Sequence, residues 1–167
     1  MKAVIIILLA CASCQAQVVH FIAGGGYSTF NQAWGSRRQA WTAGVMAERN
    51  FAPHGSTIIG MSWRQRADRT TTLYTIQFDL GGQYVGSRLR AGGTLFFGMG
   101  AGTDTSEKTR EQLKSGVGVS AFVAWRMWRR IGLRLVYDHG LSNISSAAGY
   151  TITPQAAYLL LQLPISE

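Results

Sequence analysis

At 167 residues the chain suits a single domain, and its 20 Gly, 3 Pro and 18 aromatics, spread along the whole length, favour strands and tight turns over helices. Lys+Arg total 16 against 8 Asp+Glu, a formal net charge of +8, and 13 of the 16 are Arg. Anionic lipid or an acidic ligand fits that balance; nucleic acid does not, because the basic residues are divided among many segments with no single stripe.

The chain opens "MKAVIIILLACASCQAQ", with one Lys, an apolar run from Ala3 to about Ala12, and small residues at Ser13, Cys14 and Ala16. This pattern predicts a secretory signal peptide over 1–16 and a mature domain over 17–167. The run is too short for a membrane-spanning helix, which needs about 20 apolar residues. Cleavage there removes both cysteines, so the mature chain has no disulfide and no thiolate metal ligand, and its stability must come from closure of the fold. The alternative is a lipobox, Leu8-Leu9-Ala10-Cys11, in which Cys11 becomes a lipid-modified N-terminus.

Eight β-like runs follow, at about 18–30, 40–49, 56–66, 70–80, 88–101, 116–127, 131–141 and 153–165. Each is close to the 9–11 or so residues of a tilted transmembrane strand. "NQAWGSRRQ", "ADR", "GTDTSEKTREQLKS" and "NISSAAGY" separate one set of pairs, while the breaks "NFAPHG", "GGQYVGS" and "WRR" separate the other. With both chain ends on the periplasmic side, the first set faces outward and holds the longest, most polar break.

Side-chain parity then assigns faces, since successive strand residues point to opposite sides. Val117, Val119, Ala121, Val123 and Trp125 oppose Gly116, Gly118, Ser120, Phe122, Ala124 and Arg126. Ile131, Leu133, Leu135 and Tyr137 oppose Gly132, Arg134, Asp138 and Gly140. Applied throughout, the rule puts Glu48, Arg64, Arg66, Asp79, Arg90, Arg126, Arg134 and Asp138 on the polar face. Two architectures have such a sheet: a secreted lipocalin-like ligand-binding barrel with its apolar face inward, and a transmembrane barrel with that face in lipid. Glycines share the polar face with the charges, and Trp41, Trp63, Tyr74, Trp125 and Tyr137 fall near run ends on the apolar face, as an interfacial girdle would. The expected fold is therefore all-β, an eight-stranded antiparallel up-and-down transmembrane β-barrel in the outer membrane.

The stretch "SGVGVSAFVAWRMWRRIGLRLVYDHGLSNI" followed by "TPQAAYLLLQLPI" resembles the closing hairpin of small bacterial outer-membrane barrels of the PorT-like and OmpX-like families. "TTTLYTIQFDLGG" and "LRAGGTLFFGMGAG" resemble their middle hairpin. Such barrels end on an aromatic residue read by the assembly machinery, where this chain ends "LLLQLPISE". A second resemblance is narrower. His139, Ser142 and Asn143 in "YDHGLSN" are similar to the His-x-Ser-Asn element of the lipid A deacylases, also eight-stranded outer-membrane barrels. Here the spacing is three, which turns His139 and Ser142 to opposite faces unless the strand bulges at Gly140 or Leu141. The glutamate implied by that resemblance is missing until Glu167.

An eight-stranded barrel is narrow enough for side chains to fill. The expected lumen is an ion network of Glu48, Asp79, Arg90, Arg126, Arg134 and Asp138, most of it in the periplasmic half. Trp34, Arg37 and Arg38 in the first outward break, and Lys108, Arg110 and Lys114 in the third, are candidate contacts to lipopolysaccharide phosphates or to an envelope or extracellular protein. Gly24–Gly26 lack the context of a phosphate loop and read as a bend or a close approach. His20 and His54 lack metal-site spacing, and His20 reads as a hydrogen-bonded structural histidine facing the lumen. The expectation is a monomeric, non-enzymatic barrel without metal or cofactor, acting through its loops in an envelope or adhesion role. A lipid A-modifying hydrolase carrying His139 and Ser142 is the alternative.

Overall fold

The computed structural model describes residues 18–30, 38–67, 71–105, 115–128, 131–142 and 153–166. The expected leader, with Cys11, and the loop residues Trp34, Arg37, Lys108, Arg110, Lys114 and Asn143 lie outside the described residues. Alternating sequence becomes eight strands: β1 (Val18–Phe30), β2 (Arg38–Ala52), β3 (Gly55–Ala67), β4 (Thr71–Val85), β5 (Leu89–Thr105), β6 (Gly116–Trp128), β7 (Ile131–Gly140) and β8 (Pro154–Ser166). Each pairs antiparallel with its sequence neighbour, and β1 closes on β8, so the sheet is a continuous barrel. Closure matters physically: in hydrocarbon, every backbone N–H and C=O needs an internal partner, and only a barrel gives a sheet that property.

Two of the strand ends that differ from the sequence reading bear on packing. β2 begins at Arg38, which is an exposed strand residue opposite Ser28 on β1 and not part of the loop. β4 runs on through Gly81 and Gly82 to Val85, absorbing most of the "GGQYVGS" break. The glycines that suggest a turn there are packing glycines: a Cβ on Gly81 would strike Gly93 O of β5, and one on Gly92 would strike Gly82 O of β4. The turn itself is shorter, closed by Gly86 N donating to Leu89 O at 2.9 Å. It lies beside the β2–β3 turn, where Val85 N donates to His54 O at 2.9 Å. Both turns sit at the end that also carries Val18 and Ser166, the inner end of the barrel.

The barrel is inside-out relative to a soluble domain. Leu80, Leu95, Leu135 and Leu159 are 61, 66, 58 and 54 % exposed on its outer wall, while Arg64, Arg66, Arg134, Glu48 and Asp138 are at most 5 % exposed within it. An apolar surface of that extent is stable in lipid and not in water. This overturns the lipocalin-like alternative, whose apolar residues would face a ligand inside. Trp41, Trp63 and Tyr137 stand on the outer wall toward the outer end, and Phe51, Tyr84, Trp125 and Trp128 toward the inner end. Trp63 and Tyr74 pack together with ring centroids 6.0 Å apart.

Gly24 and Gly26 sit where β1 meets β8. A Cβ on Gly24 would run into Leu159 O, and one on Gly26 into Ala157 O, so the seam needs both positions bare. This is the close approach expected from the triple glycine.

Candidate functional site

The inward residues form three layers. In the outer half, Asp138 on β7 lies at 0 % exposure and gathers two arginines from β3. Its Oδ2 accepts from Arg64 Nη1 and, at 2.8 Å, from Arg66 Nη2, while Oδ1 accepts from Ser120 Oγ at 2.6 Å. Arg64 also reaches Asp79 Oδ2 at 3.4 Å. Arg66 continues to Gln77 Oε1 at 2.7 Å and Thr75 Oγ1 at 3.3 Å, and Gln77 donates to Asp79 Oδ1 at 2.9 Å. Two carboxylates thus hold two guanidinium groups in a desolvated, hydrogen-bonded cluster, the condition under which buried ions are tolerated.

The middle layer is apolar. Ile22, Met46, Ile58, Phe122, Val136, Tyr158 and Leu160 pack across the lumen. Arg134 crosses this layer with its guanidinium 3.5 Å from the centre of the Phe122 ring and Nη1 2.7 Å from Met46 Sδ. Arg134 makes no ion pair among the described residues. Arg64 lies over the Tyr158 ring at 5.3 Å, tying the outer cluster to the same layer.

At the inner end, Glu48 Oε2 accepts from Arg90 Nη1 at 2.5 Å and its Oε1 from Ser56 Oγ at 3.1 Å, and Gln83 Nε2 donates to Ser56 Oγ at 2.9 Å. His20 Nε2 lies 3.4 Å from Glu48 Oε2, yet neither ring nitrogen makes a hydrogen bond. His20 is therefore buried in the lumen as anticipated, held against the Glu48 carboxylate at a distance longer than a well-formed hydrogen bond.

Of the six residues expected to form one network, the structure brings five into the lumen, in separate groups. Asp79 and Asp138 belong to the outer cluster, Glu48 and Arg90 to the inner one, and Arg134 stands between. Arg126 is exposed at the inner rim, near the end of β6, where the register with β7 shifts between Arg126 and Trp128. Its place in the ion chemistry is taken by Arg64 and Arg66, which parity puts on the polar face but which sequence spacing does not connect to Asp138. The network is also less concentrated at the inner end than expected, because Asp138 and Asp79 pair with the arginines of β3 and not with Arg90 or Arg134.

The deacylase-like pair is not assembled. β7 pairs in register with β6 through Gly140, opposite Gly118, and beyond it the N–H groups of Leu141 and Ser142 both donate to Val117 O, at 2.9 and 3.3 Å, a local irregularity that carries Ser142 onto the β6 backbone. His139 stacks on Tyr137 with ring centroids 6.4 Å apart. Ser142 Oγ instead accepts from Val117 N at 2.9 Å, capping the start of β6.

No family model and no curated protein sequence matches the chain. Solved structures do match its fold. Neisserial surface protein A (NspA) aligns with a TM-score of 0.58 at 10% sequence identity, over 87% of this chain and 95% of that one. Ail, the attachment invasion locus protein of Yersinia pestis, gives 0.58 at 8% identity, over 90% of this chain and 99% of its own. The N-terminal β-barrel domain of Pseudomonas aeruginosa OprF gives 0.51 at 12% identity, over 90% and 100%. At such identities the likeness is one of fold, and the fold is that of the small eight-stranded, OmpX-like outer-membrane barrels.

Proposed function

We propose that this chain is a non-catalytic outer-membrane barrel whose filled lumen serves as a rigid scaffold and whose outward loops contact anionic groups of the envelope or of an extracellular partner. The observation that carries the reading is the layered lumen. An apolar layer separates two ion clusters, and the cavity that remains around it, between Arg64, Asp79 and Arg134, is only about 20 Å³. That is room for about one water, not for a conducting column. With transport set aside, the loops are the surface left for interaction, and Arg37, Lys108, Arg110 and Lys114 give them planar and point cations suited to phosphate or sulfate, with Trp34 adding an aromatic face in the first loop. The Ail barrel, similar in fold at a TM-score of 0.56, has been crystallised with the heparin analogue sucrose octasulfate, which supports a polyanion as the kind of partner.

The test is surface display of the barrel in a non-adherent outer-membrane host, with immobilised lipopolysaccharide and a sulfated polysaccharide as probes. Display should confer binding that falls when Arg37, Lys108, Arg110 and Lys114 are changed together to Gln, while planar-bilayer recordings show no channel steps. Steady conductance, or binding indifferent to those four changes, would refute the reading.

A further inference from the structure

The inner mouth holds a void of about 210 Å³. Its polar lining is His20, Arg90, Arg126 and Gln162, from four different strands, with no acidic residue among the described ones in direct contact with it. Glu48 lies behind Arg90 and takes one of that guanidinium's N–H groups, at 2.5 Å. The other N–H groups of Arg90 remain, on a side chain that is 20 % exposed. Arg126 has no ion pair among the described residues. Its backbone is held at the rim, where its N donates to Arg88 O at 2.9 Å.

His20 supplies an independent observation. It is only 7 % exposed and lines the cavity; Glu48 Oε2 stands 3.4 Å from its Nε2, yet neither ring nitrogen completes a well-formed hydrogen bond. A buried polar group left in that state is costly unless something that enters the cavity completes it. Two guanidinium groups, an imidazole and a carboxamide converge on one void, beside a single carboxylate, Glu48, which already accepts from Arg90 and Ser56 and flanks His20, and they make a cradle for an anion with several acceptor oxygens. The volume is below the roughly 300–1,000 Å³ of sites for drug-sized ligands and suits a single tetrahedral group.

We propose that the inner mouth of the barrel is a phosphate-binding site in which Arg90 and Arg126 supply the charge and His20 and Gln162 the neutral hydrogen bonds. The phosphate has two sources. Trp125, which forms part of the wall, is also exposed on the lipid face, so a phospholipid headgroup from the surrounding leaflet can reach the site. A soluble phosphate can enter along the lumen axis. The proposal is independent of what the outward loops bind.

The experiment uses the mature protein folded in a phosphate-free maltoside micelle, titrated calorimetrically with inorganic phosphate and, separately, with phosphatidylglycerol doped into the micelle. Saturable binding of either probe is expected, and the probe that binds identifies the source. Arg126→Gln, at an exposed rim position, should keep the heat-dependent gel shift of the folded barrel and weaken binding about tenfold or more, the loss of one charge-assisted contact. Gln162→Leu should weaken it too, from β8, two strands away at the same level. Arg49→Gln, which changes a rim charge outside the cavity, should leave it unaltered. Absence of binding by both probes, or equal losses in Arg126→Gln and Arg49→Gln, would overturn the proposal.

Discussion

Asp138 and Arg66 lie 72 positions apart in the chain, yet the Asp138 Oδ2 to Arg66 Nη2 distance is 2.8 Å, at the centre of a cluster that Arg64 and Asp79 complete. Because Asp138 is fully buried, its charge is stabilised by Arg64, Arg66 and the Ser120 hydroxyl in place of water. Asp138→Asn keeps the shape but leaves two guanidinium groups to share Asp79. Breaking a buried pair from one side costs roughly 3–5 kcal/mol. Urea unfolding of the variant in phospholipid vesicles should show a loss of that order, and a midpoint equal to the parent's would mean that the cluster contributes nothing to stability.

Arg134 should behave in the opposite way. Its guanidinium rests on Phe122 and Met46 without a carboxylate partner, so it bears the desolvation of a buried cation with little ion-pair return. Among the described lumen residues, Arg64, Arg66, Arg90 and Arg134 face Glu48, Asp79 and Asp138, which makes Arg134 the surplus charge. Arg134→Met extends the apolar layer with a side chain of similar length. Such replacements are neutral or stabilising by about 1–4 kcal/mol. The same unfolding assay should therefore rank Arg134→Met at or above the parent, with Arg64→Met well below both.

The contrast between those two arginines shows where sequence reading stops. Period-two alternation located all eight strands and put Arg64, Arg66, Arg134 and Asp138 on one face, because lipid on one side and packing on the other leave the pattern little freedom. It could not pair Asp138 with β3. That contact runs across the lumen between strands that are not neighbours, and depends on tilt and stagger around the whole barrel. Parity also placed Phe122 inside, but an apolar layer becomes visible only when Ile22, Met46, Ile58, Val136 and Leu160 are seen at the same depth. Arg126 has lumen parity as well; the register shift at the end of β6 and the rim's access to solvent take it out of the network. The cavity at the inner mouth left no signal at all, since His20, Arg90, Arg126 and Gln162 are spread over four strands.

The seam between β1 and β8 gives a matched pair of tests within three adjacent glycines. A Cβ on Gly24 would meet Leu159 O and one on Gly26 would meet Ala157 O, both backbone atoms that cannot move without opening the closing ladder. A Cβ on Gly25 meets nothing nearer than Ala40 O at 3.5 Å, an ordinary contact. Gly26→Ala should therefore lose most of the heat-dependent gel shift that reports a closed barrel, and Gly25→Ala should retain it. Equal folding of the two would show that the seam has slack the present geometry does not reveal.

Depth in the bilayer can be read with two leucines of nearly equal exposure. Leu135 is 58 % exposed midway along β7, where it pairs with Leu159 on one side and Val123 on the other. Leu89 is 56 % exposed but begins β5, beside the inner turn. An arginine at the bilayer midplane costs roughly 2–4 kcal/mol, and near an interface about 0–1, because the long side chain can lift its charge into the headgroups. Leu135→Arg should lower unfolding free energy in vesicles by the larger amount and Leu89→Arg by the smaller. If Leu89→Arg proved as costly as Leu135→Arg, the inner end of β5 would have to lie well inside the hydrocarbon, and the barrel would sit deeper in its membrane than its inner aromatic residues Tyr84, Trp125 and Trp128 imply.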